Sequence, residues 1–394
     1  MAARRGEHGV ISARGRSSML VLGVVAAAVL AACSAAEADR VVGPQLAGQP
    51  RSVMVSAATS TPAKALAWLE PSQRTRRLSV VVGGDLLIHE AVWESARSYA
   101  GGDGFDFDPM FEPVADVIDG ADLGICHLEV PLSADNTGLA SYPRFNAPHQ
   151  LADAIATAGF DGCSFASNHT LDQGVDGIDA SLGHLDRVGV GHAGAARTPE
   201  EATTIRTYEV RGHRVAHLSY SYGFNGLRRP AGEEWRANLI DPARIGDDAA
   251  RARAEGADLV LVSLHWGDEY VHAPNQYQRD VAATVAGTGD VDLIIGHHAH
   301  VIQPVEVVED TWVAYGVGNL LSNMTQPARR DGVLLEVHFE AGPQESFEVA
   351  EVGFLPTQVE RAGHRIVPAP ADSWERTASH LQRGGAPMAV VHRD

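Results

Sequence analysis

Three histidines fall within four positions at His297, His298 and His300, directly after the run 291–296 (VDLIIG). The β-branched apolar stretch inside that run is of the kind that fills a buried parallel strand, and it stops at a glycine. A strand there delivers imidazoles to its C-terminal end, the edge at which open α/β sheets bind ligands. Neutral imidazole is a common ligand for zinc and other transition metals. A solvated histidine cluster in a loop is the plainer alternative, and the rest of the chain argues against it. Four other strand-like runs also end in polar groups: 78–84 in Asp85, 122–128 in Glu129, 160–167 in Asn168 and His169, and 257–264 in His265.

Taken singly, each of these residues has an ordinary role. Asp85 could cap a helix, Asn168 could support a turn, His265 could pack with Trp266, and Glu129 before Pro131 could be a surface acid. Taken together, they repeat at one end of apolar runs that otherwise disfavour them. Carboxylate, amide and imidazole groups converging there are the parts of a divalent-metal centre of one or two ions. Such a centre lowers the pKa of bound water and clamps the oxygens of a phosphoryl or acyl group. Mixed oxygen and nitrogen donors favour manganese, iron or zinc over calcium.

The elements that must position these groups alternate along the chain. Between residues 78 and about 324, strands and helices follow one another, the signature of a layered α/β fold. Helices are predicted over 149–159, around Ile178, Leu182 and Leu185 with a stop at Gly189, over 241–255 and over 276–286. The stretch 208–222 reads as a hairpin turning at Arg211-Gly212-His213, and 223–238 as a surface loop. Residues 160–169 and 311–321 each read as one strand, and 332–339 and 345–358 as further strands. The last thirty or so residues give weak signals, and fraying is expected there.

At 394 residues the chain can bury a large core, and its composition is that of a globular protein. The formal net charge is −19, which disfavours nucleic acid and anionic lipid as partners. The arginine-bearing segment 1–18 followed by the apolar run 19–30 reads as a signal peptide, too short to span a bilayer comfortably. It ends in LAACS, which resembles a bacterial lipoprotein box and implies lipidation of Cys33; an ordinary signal-peptidase site is the alternative. The expected organisation is a signal peptide over 1–32, the lipidated cysteine and a flexible tether over 33–77, a domain over 78–360, and a partly disordered extension over 361–394. Cys126 and Cys163 each lie in an apolar strand, and two reduced, packed thiols are expected.

The runs GGDLLIHE (83–90), HLEVPLS (127–133), SNHTLDQG (167–174), LHWGDEY (264–270), GHHAHVIQPVE (296–306) and YGVGNLLSN (315–323) resemble, in order and spacing, the CapA family associated with poly-γ-glutamate capsule synthesis. That family is similar in fold to the calcineurin-like metallophosphatases. The resemblance implies an α/β/β/α sandwich with mixed sheets, and Asp85, Glu129, Asn168, His265, His298 and His300 as metal ligands. It makes His169 the catalytic residue, with Asp172 fixing its tautomer. His89 and His297 become further metal or substrate contacts. His127 stands where the family often has Asn, and Glu129 where metallophosphatases use a bridging Asp.

Arg144 and Asn146, just before a helix, could hold an anionic group or be a surface charge and a cap. Tyr270, Gln303 and Asn319 are candidate rim contacts. The resulting expectation is a membrane-anchored metallohydrolase on the outer face of the cell membrane, cleaving an amide or phosphoester in capsule or envelope polymer. The alternative is a non-catalytic accessory subunit that binds the anionic polymer or a capsule synthase.

Overall fold

The computed structural model describes residues 76–342 and 346–390. The signal segment, Cys33 and the tether through residue 75 lie outside the described residues. The chain opens with strands β1 (Arg77–Leu86), β2 (Leu123–Leu128), β3 (Gly162–Ser164) and β4 (Gly191–Ala193). It crosses to a second sheet for β5 (Arg206–Val210), β6 (His213–Ser221), β7 (Leu259–His265), β8 (Leu293–His297), β9 (Val305–Val308) and β10 (Thr311–Ala314). It then returns to the first sheet with β11 (Asn319–Leu321), β12 (Asp331–Ala341), β13 (Phe347–Val359), β14 (Ile366–Pro368) and β15 (Ala389–Val390).

In the first sheet the order is β14-β13-β12-β1-β2-β3-β4, with β11 beside β1 and β15 beside β13; in the second it is β5-β6-β7-β8-β10-β9. Both sheets are mixed. β1 to β4 are parallel while β12 runs antiparallel to β1, and parallel β6, β7, β8 and β10 are flanked by antiparallel β5 and β9.

Parallel neighbours require crossovers, and helices supply them. α1 (Glu90–Tyr99), α2 (Asp108–Asp119), α3 (Leu151–Thr157) and α4 (Gly174–Val188) cover the outer face of the first sheet. After the short α5 (Pro199–Thr203), α6 (Pro242–Ala254) and α7 (Gln276–Ala286) cover the second. α8 (Pro327–Arg330) and α9 (Ala371–Leu381) complete the helices of the described residues. Local signals set the ends: Gly189 closes α4 at φ 81°, and Asn275 with Gln278 forms a capping box on α7.

Strand alternation then sorts side chains into three apolar layers. On β1, Val80 and Val82 point between the sheets while Val81 points to α1–α4; on β8, Leu293 and Ile295 point between the sheets while Ile294 points to the α6–α7 layer. Each such buried aliphatic side chain contributes about 1.5–3 kcal/mol of hydrophobic stabilisation. The molecule is therefore the α/β/β/α sandwich with mixed sheets that the resemblance implied.

Four expectations need correction. Cys126 and Cys163 are register partners on adjacent β2 and β3, with Cα atoms 4.4 Å apart, and the structure joins them in a disulfide. The strand expected over 160–169 keeps only Gly162–Ser164, because Thr170 Oγ1 accepts from the Ser167 N–H and donates to the Phe165 carbonyl, folding the chain into a turn. The single strand expected over 311–321 is two strands in different sheets, with Gly318 at φ 70° in the crossing; a Cβ there would meet the Asp331 carbonyl at 2.6 Å. The extension expected to fray carries α9, whose Ser373 and Arg376 bond to buried Asp331 while Leu381 packs between the sheets.

Candidate metal centre

β1, β2, β7 and β8 all end at one edge, and their last side chains meet there. Asp85 is fully buried, with its carboxylate 3.0 Å from His297 Nδ1 and 3.2 Å from His300 Nδ1, and it accepts the His298 backbone N–H at 3.2 Å. Burial alone would raise this carboxyl, but the His297 and His300 bonds outweigh it and hold Asp85 well below the usual carboxylate range. Glu129 is also fully buried, 3.5 Å from His300 Nε2, and neither of its oxygens has a hydrogen-bond partner. Its carboxyl is pushed up by burial, against the opposing charge of His300. His300 in turn is raised, against its own burial, by Glu129, Asp85 and a bond to Asn319.

A second chain of contacts runs through the imidazoles. Ser164 Oγ lies 2.7 Å from His127 Nδ1, His127 Nε2 lies 3.0 Å from His265 Nδ1, and His265 Nε2 lies 3.0 Å from Asn168 Oδ1. Burial lowers His127 and His265 well below the usual imidazole range. His127 also stacks on His297 at 4.0 Å between centroids, and His298 packs against His265 and Tyr222. His298, His300 and Tyr270 hold positive φ of 83°, 52° and 68°, a backbone cost of about 1–3 kcal/mol each that clusters at this edge.

The residues read as ligands are thus brought together from both sheets. Carboxylate and imidazole donor atoms fall into three overlapping groups, each within 4.8 Å: Asp85, Glu129 and His300; Asp85, His127 and His297; and Glu269, His298 and His300; His265 belongs to none of them and lies against His127. Among the described residues, both Glu129 oxygens, His297 Nε2 and His298 Nδ1 are buried without a hydrogen-bond partner, and such orphaned donors fit a divalent ion. His127 is the member that sequence reasoning missed, while Glu269 reads from the sequence nearly as well as a solvated charge as it does as part of a site. His127 was noted only as a departure from the family pattern, although it precedes Glu129 by two residues at the same strand end.

Beside the cluster lies a cavity of about 420 Å³, lined among others by His89, Arg144, Asn168, His169, Tyr270 and His300. His169 Nδ1 is 2.7 Å from Asp172 Oδ2, which also accepts the Phe145 N–H at 2.7 Å. Burial lowers His89 to about 4, and it contacts the edge of Phe145. At the mouth, the Arg329 guanidinium lies 3.4 Å above the Tyr270 ring, and an adjoining pocket is lined by Arg144 and Arg228. No carboxylate among the described residues pairs with Arg144, Arg228 or Arg329.

Two rim expectations, and the substrate contact expected of Asn146, are corrected. Asn319 is fully buried, meeting His300 Nδ1 with its oxygen and donating to the Arg329 carbonyl, so it positions the His300 ring. Asn146 turns away and donates to the carbonyls of Thr137 and Gly138. Gln303 is buried against Gln278 and donates to the Val271 carbonyl.

Two mixed sheets between helical layers, with imidazoles and carboxylates gathered at strand ends, define a layered α/β protein with a candidate metal centre. The model of the bacterial capsule synthesis protein PGA_cap family matches residues 79–324, and the chain belongs to that family. It is 30% identical over 215 residues to the PGA biosynthesis protein CapA of Bacillus subtilis, covering 52% of this chain and 51% of that one. It is 25% identical over 216 residues to a protein of Mycobacterium tuberculosis named "Probable polyglutamine synthesis accessory protein", covering 51% of this chain and 56% of that one. The chain spans about half the length of these curated relatives. Among solved structures, the calcineurin-like phosphoesterase YfkN of Bacillus subtilis superposes with a TM-score of 0.45 at 15% identity, covering 77% of this chain and 96% of that one.

Proposed function

We propose that the protein is an exported, metal-dependent hydrolase of capsule or envelope polymer metabolism, acting on an amide or phosphoester bond. The observation that carries this reading is Glu129, a fully buried carboxylate with two unpartnered oxygens amid unpartnered imidazole nitrogens. A buried acid so placed costs several kcal/mol unless a cation meets it. Asp85, Glu129, Asn168, His265, His298 and His300 would hold one or two ions of manganese, iron or zinc. When bound, such an ion supplies Lewis-acid activation of water and of the scissile group.

The remaining work falls to the chain's own residues. Asp172 accepts a hydrogen bond from Nδ1–H of His169, which fixes the ring and leaves Nε2 facing the leaving group, where it would hold or deliver a proton. Arg144 and Arg329 would hold negative charge on the substrate at the cavity mouth, offsetting the repulsion of an acidic surface. Export through the signal segment and anchoring at Cys33 complete the reading, and the Cys126–Cys163 bridge supports it, since disulfides persist in oxidising compartments.

The test is turnover by the metal-loaded protein on amide, phosphomonoester and phosphodiester panels, beside a His169→Ala variant of equal metal content. Turnover lost in the variant is the expected result; no turnover by the parent on any panel refutes the hydrolase. A second reading, an accessory subunit that binds polymer without cleaving it, is supported by the name of the mycobacterial relative. Polymer binding that survives His169→Ala, with no turnover in the parent, selects it.

A further inference from the structure

A second cavity, of about 290 Å³, is lined by residues with no part in the metal centre. β5 begins at Arg206, opposite His217, so β6 has no β5 partner from Leu218 onward, and the cavity is lined by that part of β6, the 192–196 segment, α5 and α6. Its lining divides into two halves. One is apolar: Ala193, Ile205, Leu218 and the indole of Trp235. The other carries three guanidiniums, Arg206, Arg244 and Arg251, against two carboxylates, Glu201 and Asp248.

The carboxylates are already engaged. Asp248 accepts from the Tyr220 hydroxyl and from Arg251, and Glu201 is held by Arg197. Arg251 also reaches the Thr203 carbonyl, and Arg244 donates to Asn238. Arg206 differs from these. Its Nε donates to the His192 carbonyl, and no carboxylate among the described residues meets its guanidinium. Within this cavity Arg206 is thus the guanidinium whose fork is left for a ligand. A further polar group lies in the wall: His217 is 1% exposed, its Nε2 lies 2.9 Å from Ser263 Oγ, and its Nδ1 has no hydrogen-bond partner among the described residues.

We propose that this cavity is a binding site for a small organic monoanion, a carboxylate whose two oxygens meet the Arg206 fork and whose apolar body lies against Trp235 and Leu218. The guanidinium of Arg206 sets the ligand's charge, because Arg244 and Arg251 are met by Asp248 and Arg251 also by Glu255, which leaves Arg206 as the cation without a carboxylate among the described residues. A guanidinium matches a carboxylate bidentately. The volume sets its size at about ten non-hydrogen atoms, taking about 30 Å³ for each. The apolar half selects an organic carboxylate over inorganic phosphate, which would leave Trp235 and Leu218 uncovered. The site is independent of the hydrolase reading, since it shares no lining residue with the cavity of the metal centre.

The test is calorimetric titration of the full chain with benzoate and, separately, with inorganic phosphate. Benzoate is expected to bind with a dissociation constant of about 1 mM or tighter, and phosphate to bind at least about tenfold more weakly. Arg206→Ala is expected to weaken benzoate at least about tenfold, the loss of a charge-assisted pair. Arg206→Lys keeps the charge without the fork; it is expected to weaken benzoate too, and it serves if the alanine variant fails to fold. Arg144→Ala, at the other cavity, is expected to leave benzoate affinity unchanged. Absence of benzoate binding, phosphate binding as tight as benzoate, or affinity untouched by both Arg206 variants would overturn the proposal.

Discussion

His217 offers a sharp test of how the inter-sheet layer is built. Its ring is buried on β6, donates or accepts at Ser263 Oγ over 2.9 Å, and has no other partner. Burial, with help from the charges of His297 and Arg206, lowers its pKa from 6.5 to about 3. Between those values the unfolded chain binds a proton that the folded chain refuses. The stability contributed is therefore complete above about pH 6.5 and is lost as pH falls towards about 3. From about pH 7.5 to about pH 5.5 the loss from this one ring is about 1.4 kcal/mol. Urea unfolding of the parent and of His217→Gln at the two pH values measures it, with chelator present throughout. Other buried histidines titrate equally in both proteins, so they cancel in the difference of differences. A variant whose stability falls as steeply with acid as the parent's would refute a neutral, buried His217.

The double change His298→Ala, His300→Ala is expected to abolish binding of divalent metal, read by elemental analysis of dialysed protein; unchanged metal content would place the ion elsewhere. Removing the disulfide with Cys126→Ala, Cys163→Ala is expected to cost about 2–4 kcal/mol in urea unfolding, from the entropy of a loop closed across a separation of 37 residues. Gly296→Ala is expected to lower stability by about 1–3 kcal/mol in thermal unfolding, because its Cβ would sit 1.9 Å from the Tyr315 carbonyl oxygen, a backbone atom that cannot swing aside.

The polar residues at the ends of apolar strands were legible because strands disfavour them, and Asp85, Glu129, His265 and His300 do meet at one edge. Helix α7 runs over the residues 276–286 that the sequence indicated. What stayed hidden depends on pairing between distant segments. The bond between Cys126 and Cys163 follows from the register of β2 against β3, which neither strand's own pattern carries. Residues 311–321 are mostly apolar, and nothing in their period says that the chain changes sheet near Gly318. The buried face of α9 is made of Ser373, Thr377, Ala378 and Leu381, too polar to register as an apolar stripe. Asn319 looked like a rim contact because its place in the sequence says nothing of the imidazole it holds.

The centre draws Asp85, Glu129 and Asn168 from the first sheet and its surroundings, and His265, His298 and His300 from the second. An ion held among them would act as a rivet between two layers that otherwise adhere through apolar contact. At a free concentration a hundredfold above its dissociation constant it would add about 2.7 kcal/mol to the folded state. Metal starvation would then do more than idle the centre. It would loosen the sandwich, so that the lifetime of the protein among proteases would track the supply of the metal.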